Sequence, residues 1–300
     1  MNKEILKMIK CIEEDRESGA SELAVKALNT INYFAKVSKS SNSDEYISEL
    51  KEVCKRIIRS RASMAALTNL TSYIYYLIIN SKITKLNALK KFTISSCDHL
   101  LNELYNLKEK IARNFFNSIN DKVKILTHSY SSNVINSLIF ARNKIAKVYV
   151  TESRPLFEGR KTAKILMNNG INVVFIVDYG ISNVIKDVDL VTLGCDSILP
   201  DGSLVNKLGS YIIALIAKHY KREVFVVTES WKVSTREVLI EEKNPKEVWD
   251  IVGIEVKNPY FDVTPAELIT SYITEDGRMN LGFVKEKVRE FRKYLSLIEY

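Results

Sequence analysis

After Asp121 the chain enters an alternation that leaves few folds open. Short β-branched runs are each followed by a stretch of helical spacing. VKILTH precedes SSNVINSLIFARNK, KVYVTE precedes EGRKTAKILMNNG, NVVFIVD precedes GISNVIKD, DLVTLG precedes NKLGSYIIALIAKHY, and EVFVVTES closes the series. Runs that are apolar at nearly every position suit strands buried on both faces, and parallel strands need a crossover element between them. The repeated βα unit therefore predicts a doubly wound, Rossmann-like, mostly parallel sheet over residues 121–300.

Residues 1–120 carry a different period and predict a helical N-terminal domain. In ELAVKALNTINYFAKV, the residues Leu23, Ala27, Leu28, Ile31 and Phe34 fall on one helical face. The polar linker SKSSNSDEY follows, where Ser43 or Asp44 is the expected cap of a helix carrying Ile47, Leu50, Val53, Cys54 and Ile57. Further helices are expected at 64–80 and 93–118. The segment MNKEILKMIKCIEEDRES mixes charge with apolar residues at helical spacing and lacks the apolar core of a signal peptide. No apolar run reaches membrane-spanning length, so a cytoplasmic protein is expected.

Four cysteines, Cys11, Cys54, Cys97 and Cys195, lie far apart with no CxxC and no histidine at ligand spacing. They predict buried or half-buried free thiols, with neither a disulfide framework nor a metal site. The formal net charge of +8 favours acidic partners, whether phosphorylated small molecules, RNA or an acidic protein surface. The charge is spread along the chain without an RGG, RNP or KH-like stretch.

Doubly wound sheets bind ligands beyond the carboxyl ends of their strands. That rule singles out the turns at 127–131, 151–155, 178–180, 194–196 and 228–232, which hold Ser129, Arg154, Asp178, Asp196 and Lys232. Arg154 could grip a phosphate through its planar fork. Asp196 reads either as an acid/base or hydroxyl-binding carboxylate or as a turn residue of DSILPDGS. Asp178 reads equally as a helix cap. Gly209 could let a phosphate approach the helix that follows it. GxGxxG and GxxxxGK[ST] are both absent, and no cofactor is implied. The pair His128–Ser129 in KILTHSYS invites a hydrolase reading, which fails: there is no GxSxG elbow, and neighbours on an extended chain point to opposite sides.

Four stretches together carry a family resemblance. They are ILTHSYSS at 125–132, VYVTESRPLFEGRKTA at 148–163, VDLVTLGCDSILPDGSLVNKLGSYIIALIAK at 188–218 and NPYFDVTPAELIT at 258–270. In order and spacing they resemble the family of the alpha, beta and delta regulatory subunits of translation initiation factor 2B, which also holds the ribose-1,5-bisphosphate and methylthioribose-1-phosphate isomerases. The resemblance implies a catalytic cysteine and aspartate in the isomerases. Asp196 keeps the aspartate, and Asn206 and Lys207 are also kept. Ser129 stands at the cysteine position, in a THSYS wording closer to that of initiation-factor alpha subunits.

A thiol can be tuned toward neutral pH for proton transfer, and a serine hydroxyl cannot be without a strong adjacent base. Ser129 thus reads as the vestige of a catalytic position. Asp196, Asn206, Lys207 and Arg154 still suit a sugar phosphate or nucleotide, the carboxylate for hydroxyls and the cations for phosphate. Two functions stay open: a regulatory subunit that binds the alpha subunit of initiation factor 2 or a sibling subunit, and an aldose–ketose isomerase acting on a ribose 1-phosphate type substrate. RNA binding through the positive charge is a third. The resemblance implies a homodimer formed through the Rossmann-like domains, with NPYFDVTP as an interface or pocket-closing segment.

Overall fold

The computed structural model describes residues 2–15, 18–61, 64–238, 240 and 242–299. The chain divides into two compact units, one comprising Met1–Asn106, Trp231–Arg236 and Glu286–Tyr300, the other Leu107–Ser230 and Glu237–Lys285. The division lies at 106/107 rather than at 120/121, and two later segments join the helical unit.

That unit is built from α1 (Lys3–Glu14), α2 (Ala20–Val37), α3 (Ser43–Ser60), α4 (Ala65–Ile79) and the first part of α5 (Leu86–Ser118). The apolar stripe read in α2 is buried, with Leu23, Ala27, Leu28 and Ile31 inaccessible to solvent. Phe34 stacks on Tyr46 of α3 at 5.3 Å, and the Tyr46 hydroxyl donates to Thr93 Oγ1 at 2.9 Å. The cap of α3 is Asn42, not Ser43 or Asp44. Asn42 has the extended backbone a cap requires, and its Oδ1 accepts from the Glu45 amide at 2.9 Å. Asn69 of α4 donates to the Trp231 and Val233 carbonyls, each at 2.8 Å, and Trp231 stacks on Phe291 of the C-terminal helix (Gly282–Glu299) at 5.2 Å. Those bonds explain why 231–236 belongs with the helices. Cys54 and Cys97 are buried free thiols, and burial pushes Cys97 up to about 12, whereas Cys11 is exposed.

The α/β unit runs β1 (Val123–Thr127), α6 (Ser132–Phe140), β2 (Ile145–Thr151), α7 (Glu158–Asn168), β3 (Val173–Ile176), α8 (Ile181–Val184), β4 (Leu190–Leu193), β5 (Ser197–Ile198), β6 (Leu204–Lys207), α9 (Ser210–His219), β7 (Glu223–Val227), β8 (Phe261–Thr264), β9 (Ser271–Thr274) and β10 (Gly277–Met279). The large sheet has the order β10-β9-β7-β4-β1-β2-β3, and its pairs are parallel except β10 on β9. The predicted doubly wound, mostly parallel sheet is therefore present. Strands β1 and β4 are buried along nearly their whole length, as their unbroken apolar runs require.

Two local expectations need correction. GISNVIKD forms only the four-residue α8 flanked by 3₁₀ turns, because its β-branched residues together with Gly180, Ser182 and Asn183 leave it few helix-favouring positions. Asn206 and Lys207, read as the start of the helical stretch NKLGSYIIALIAKHY, instead close strand β6 (LVNK). It pairs antiparallel with β5 and β8 in a second, three-stranded sheet.

Candidate functional site

The strand order reverses at the β1–β4 pair: β2 and β3 lie to one side, β7 and β9 to the other. A crevice forms where chain connections leave such a pair in opposite directions. Ser129 follows β1 and Asp196 follows β4, and the register Thr127↔Thr192 brings those two turns side by side. Gly194 lets them approach, since a Cβ there would stand 2.5 Å from the Ser131 Cβ.

The Ser129 turn is held rather than loose. Ser129 has left-handed backbone, φ 64°, as do Ser153 at 60° and Phe157 at 58° in the neighbouring turn. Each costs on the order of 1 kcal/mol and needs compensating contacts. The Ser129 amide donates to Ser153 Oγ at 2.8 Å, and its carbonyl accepts from Thr162 Oγ1 at 2.7 Å. Asp178 in turn accepts from the Ser153 and Arg154 amides at 2.7 and 2.8 Å. Asp178 thus braces the turn that braces Ser129.

His128 is buried beneath this turn. Its Nε2 lies 2.9 Å from the Leu208 carbonyl and its Nδ1 2.6 Å from Thr151 Oγ1. A carbonyl only accepts, so Nε2 carries the proton and Nδ1 accepts from the threonine. Burial pulls the imidazole below its ordinary pKa, against the Leu208 carbonyl and the Asp178 charge. A neutral histidine with both nitrogens engaged cannot activate Ser129, which agrees with the rejection of the hydrolase reading.

Lys207 ends β6 and is 5% exposed at its side chain, not on a helix surface. Its ammonium sits 2.5 Å from Glu158 Oε1 and lies over the Tyr260 ring, 3.3 Å from the centroid. The Tyr260 hydroxyl donates to the same Glu158 oxygen at 3.2 Å. Burial draws Lys207 below the usual lysine range, while the Glu158, Asp196 and Glu247 carboxylates push the other way. Asp196 therefore lies within electrostatic reach of Lys207. Its amide donates to the Val205 carbonyl at 3.0 Å, which ties the Asp196 turn to β6. Asn206 beside Lys207 is buried, and its Nδ2 donates to Ser210 Oγ at 2.8 Å.

Gly209 has φ 107°, and a Cβ there would meet the His128 ring at 3.2 Å. The glycine makes room for an imidazole. The amides of Gly209 and Tyr211 that open α9 donate to Asp262 Oδ2 at 2.7 and 3.1 Å. That helix end is already supplied with a carboxylate. Burial raises the Asp262 carboxyl to about 6.

Of the residues singled out in the sequence, Ser129, Asp178, Asp196, Asn206, Lys207 and Gly209 gather around the β1–β4 switch point. Arg154 stands at its edge, exposed, with its guanidinium 4.8 Å from the Phe157 ring centre and Nη2 3.4 Å from the Val248 carbonyl. Lys232 follows β7 but belongs to the helical unit. Glu158, Tyr260 and Asp262 were not singled out, although the stretches RPLFEG and NPYFDVTP contain them. Among the described residues no group of histidine, cysteine, aspartate and glutamate has the arrangement of a metal site.

The helical unit and the doubly wound, mostly parallel sheet define a Rossmann-like α/β protein. The model of the Initiation factor 2 subunit family matches residues 16–281, and the chain belongs to that family. It is 32% identical over 292 residues to a ribose 1,5-bisphosphate isomerase of Thermococcus kodakarensis, covering 92% of this chain and 90% of that protein. It is also 32% identical over 282 residues to a Pyrococcus furiosus protein named as translation initiation factor eIF-2B subunit 2-like, covering 90% and 95%. The crystal structure of a Pyrococcus horikoshii translation initiation factor eIF-2B superposes with a TM-score of 0.78 at 26% identity, over 93% of this chain and 98% of that one. No helix among the described residues is long and apolar enough to cross a membrane.

Proposed function

We propose that the α/β unit binds a sugar phosphate of ribose 1-phosphate type at the β1–β4 switch point and interconverts its aldose and ketose forms. The observation that carries this reading is the convergence of Asp196, Lys207 and Glu158 at one strand-end crevice. Burying charge there costs stability, and a polyol offers the hydrogen bonds that offset it. Converting a ring-form aldose 1-phosphate to an open ketose breaks the bond between C1 and the ring oxygen, delivers a proton to that oxygen and moves the C2 hydrogen, with its electron pair, to C1. It also removes the C2 hydroxyl proton. Asp196 suits that last step as the accepting carboxylate, Asn206 and Lys207 orient hydroxyls, and Arg154 at the edge suits the phosphate. The relatives named as isomerases support the same reading.

A second reading is favoured by Ser129. A chain that keeps the site but holds a hydroxyl at the position of the family cysteine suits a regulatory subunit related to initiation factor 2B. Such a subunit would bind the alpha subunit of initiation factor 2 or sibling copies, with the sugar phosphate as a bound signal. Phosphorus NMR of ribose 1,5-bisphosphate and methylthioribose 1-phosphate separates the two. Turnover by the native chain that vanishes in Asp196→Asn is the expected result. A native chain that binds these compounds without turning them over, and gains activity in Ser129→Cys, would replace the first reading by the second.

A further inference from the structure

Lys207 has surroundings that a phosphate site would not choose. Glu158 is the first residue of α7, where the helix dipole favours a carboxylate, and it already holds the ammonium at 2.5 Å. Tyr260 closes over the pair, donating to Glu158 and presenting its ring face to Lys207. The charges of Asp196 and Glu247 also reach this ammonium. Lys243 also lies near, 5.4 Å from the Tyr260 ring centre. The charges of three carboxylates, Glu158, Asp196 and Glu247, thus bear on this one ammonium. Two polar atoms inside the cluster are buried without a hydrogen-bond partner, Glu158 Oε2 and Lys207 Nζ, the latter engaged only through its ion pair and the ring face.

Those two atoms have opposite needs. Oε2 requires a donor, and Nζ has N–H groups left to give. A sugar hydroxyl is both donor and acceptor, and a vicinal pair can satisfy both atoms at once. A phosphate dianion is acceptor only. Placed at Lys207, it would leave Oε2 unsatisfied and bring like charges together.

We propose that Glu158 is a specificity-determining residue, reserving the Lys207 end of the site for the hydroxyl-bearing part of the ligand and excluding a phosphate group from it. This rests on the sugar-phosphate reading above. It places the phosphate toward the exposed Arg154 side.

The test is calorimetric titration of inorganic phosphate into the native chain, Glu158→Gln and Glu158→Gln/Lys207→Met, with urea unfolding as a control on folding. Glu158→Gln keeps the shape and removes the negative charge, so phosphate should bind roughly tenfold or more tightly, and the gain should shrink with salt. The added Lys207→Met should erase that gain. Phosphate affinity unchanged in Glu158→Gln, or a gain that survives in the double variant, overturns the proposal. Glu158→Ala gives the same two outcomes should the glutamine variant not fold. Isomerisation is measured on the native chain alone. A phosphate gain without native turnover leaves Glu158 as the selector and removes the enzyme reading, whereas native turnover without the gain removes the selector only.

Discussion

Asp262 closes the N-terminus of α9 under two opposed influences. Its Oδ2 accepts the Gly209 and Tyr211 amides, which favours the ionised form, whereas burial favours the neutral one. Burial wins, holding the carboxyl at about 6 against 3.8 for an unperturbed aspartate. The folded state therefore keeps this proton to higher pH than the unfolded chain does. The group's contribution to stability is full below the unfolded value and is lost as pH rises through the folded one, by about 3 kcal/mol in all. About 1.4 kcal/mol of that loss falls between pH 5 and pH 8.

Asp262→Asn retains an oxygen for the two amides and removes the titration. Urea unfolding of both proteins at pH 5 and pH 8 should show the asparagine variant gaining on the native chain by about 1.4 kcal/mol over that interval. His128, whose pKa is lowered by burial, acts in the other direction: its unfolded form takes up a proton as pH falls through its ordinary value. It is present in both proteins, so the comparison cancels it. A difference that stays flat from pH 5 to pH 8 would refute the desolvation argument. A helix end that outweighed burial would put the titration below the ordinary aspartate value of 3.8 and give that same flat result.

Two further substitutions probe how the site is held. Gly159→Ala would place a Cβ 1.8 Å from the Thr151 carbonyl oxygen, so α7 must withdraw from the end of β2. We expect a loss of about 3 kcal/mol or more in urea unfolding, since the obstacle is backbone, together with a weakened Glu158–Lys207 pair. Asp178→Ala strips the Ser153 and Arg154 amides of their acceptor and should cost about 2 kcal/mol. Hydrogen exchange at the Ser153 amide should speed up, and an unchanged rate would show that Asp178 does not brace the turn.

How far the sequence could be read depended on where each signal resides. The central strands of the large sheet announce themselves because burial on both faces makes nearly every residue apolar, and the crossovers follow from parallel pairing. The second sheet gives no such signal. β5 is two residues long, and β6 finds its partner β8 across the register Leu204↔Thr264. Asn206 and Lys207 read as a helix start only because the pairing residues of β6 are distant in sequence. The same division runs through the site. Asp196 lies in a turn that the strand-end rule and the family resemblance both reach, whereas Asn206 and Lys207, in β6, are reached by the resemblance alone. Glu158 and Tyr260 acquire their roles only by meeting Lys207, and Tyr260 meets Glu158 across 102 positions of sequence. Both were already inside quoted motifs, where a charged or aromatic residue beside a glycine or proline was the available hint.

Charge makes the point most sharply. The chain's formal net charge of +8 argues for attraction of anions through the long-range field. It does not carry to the crevice, where screening and burial leave only near neighbours in play. There Glu158, Asp196 and Glu247 surround Lys207, and Asp262 occupies the helix end that the sequence had offered to a phosphate. Under the proposal above, a basic chain would draw a phosphorylated ligand toward itself and still refuse its phosphate at the buried Lys207. The sequence supplies the list of charges, and the β1–β4 switch point with its second sheet decides which of them meet. The Glu158→Gln titration is therefore a test of local pairing against bulk composition, with Arg154 left as the cation whose exposure suits the phosphate.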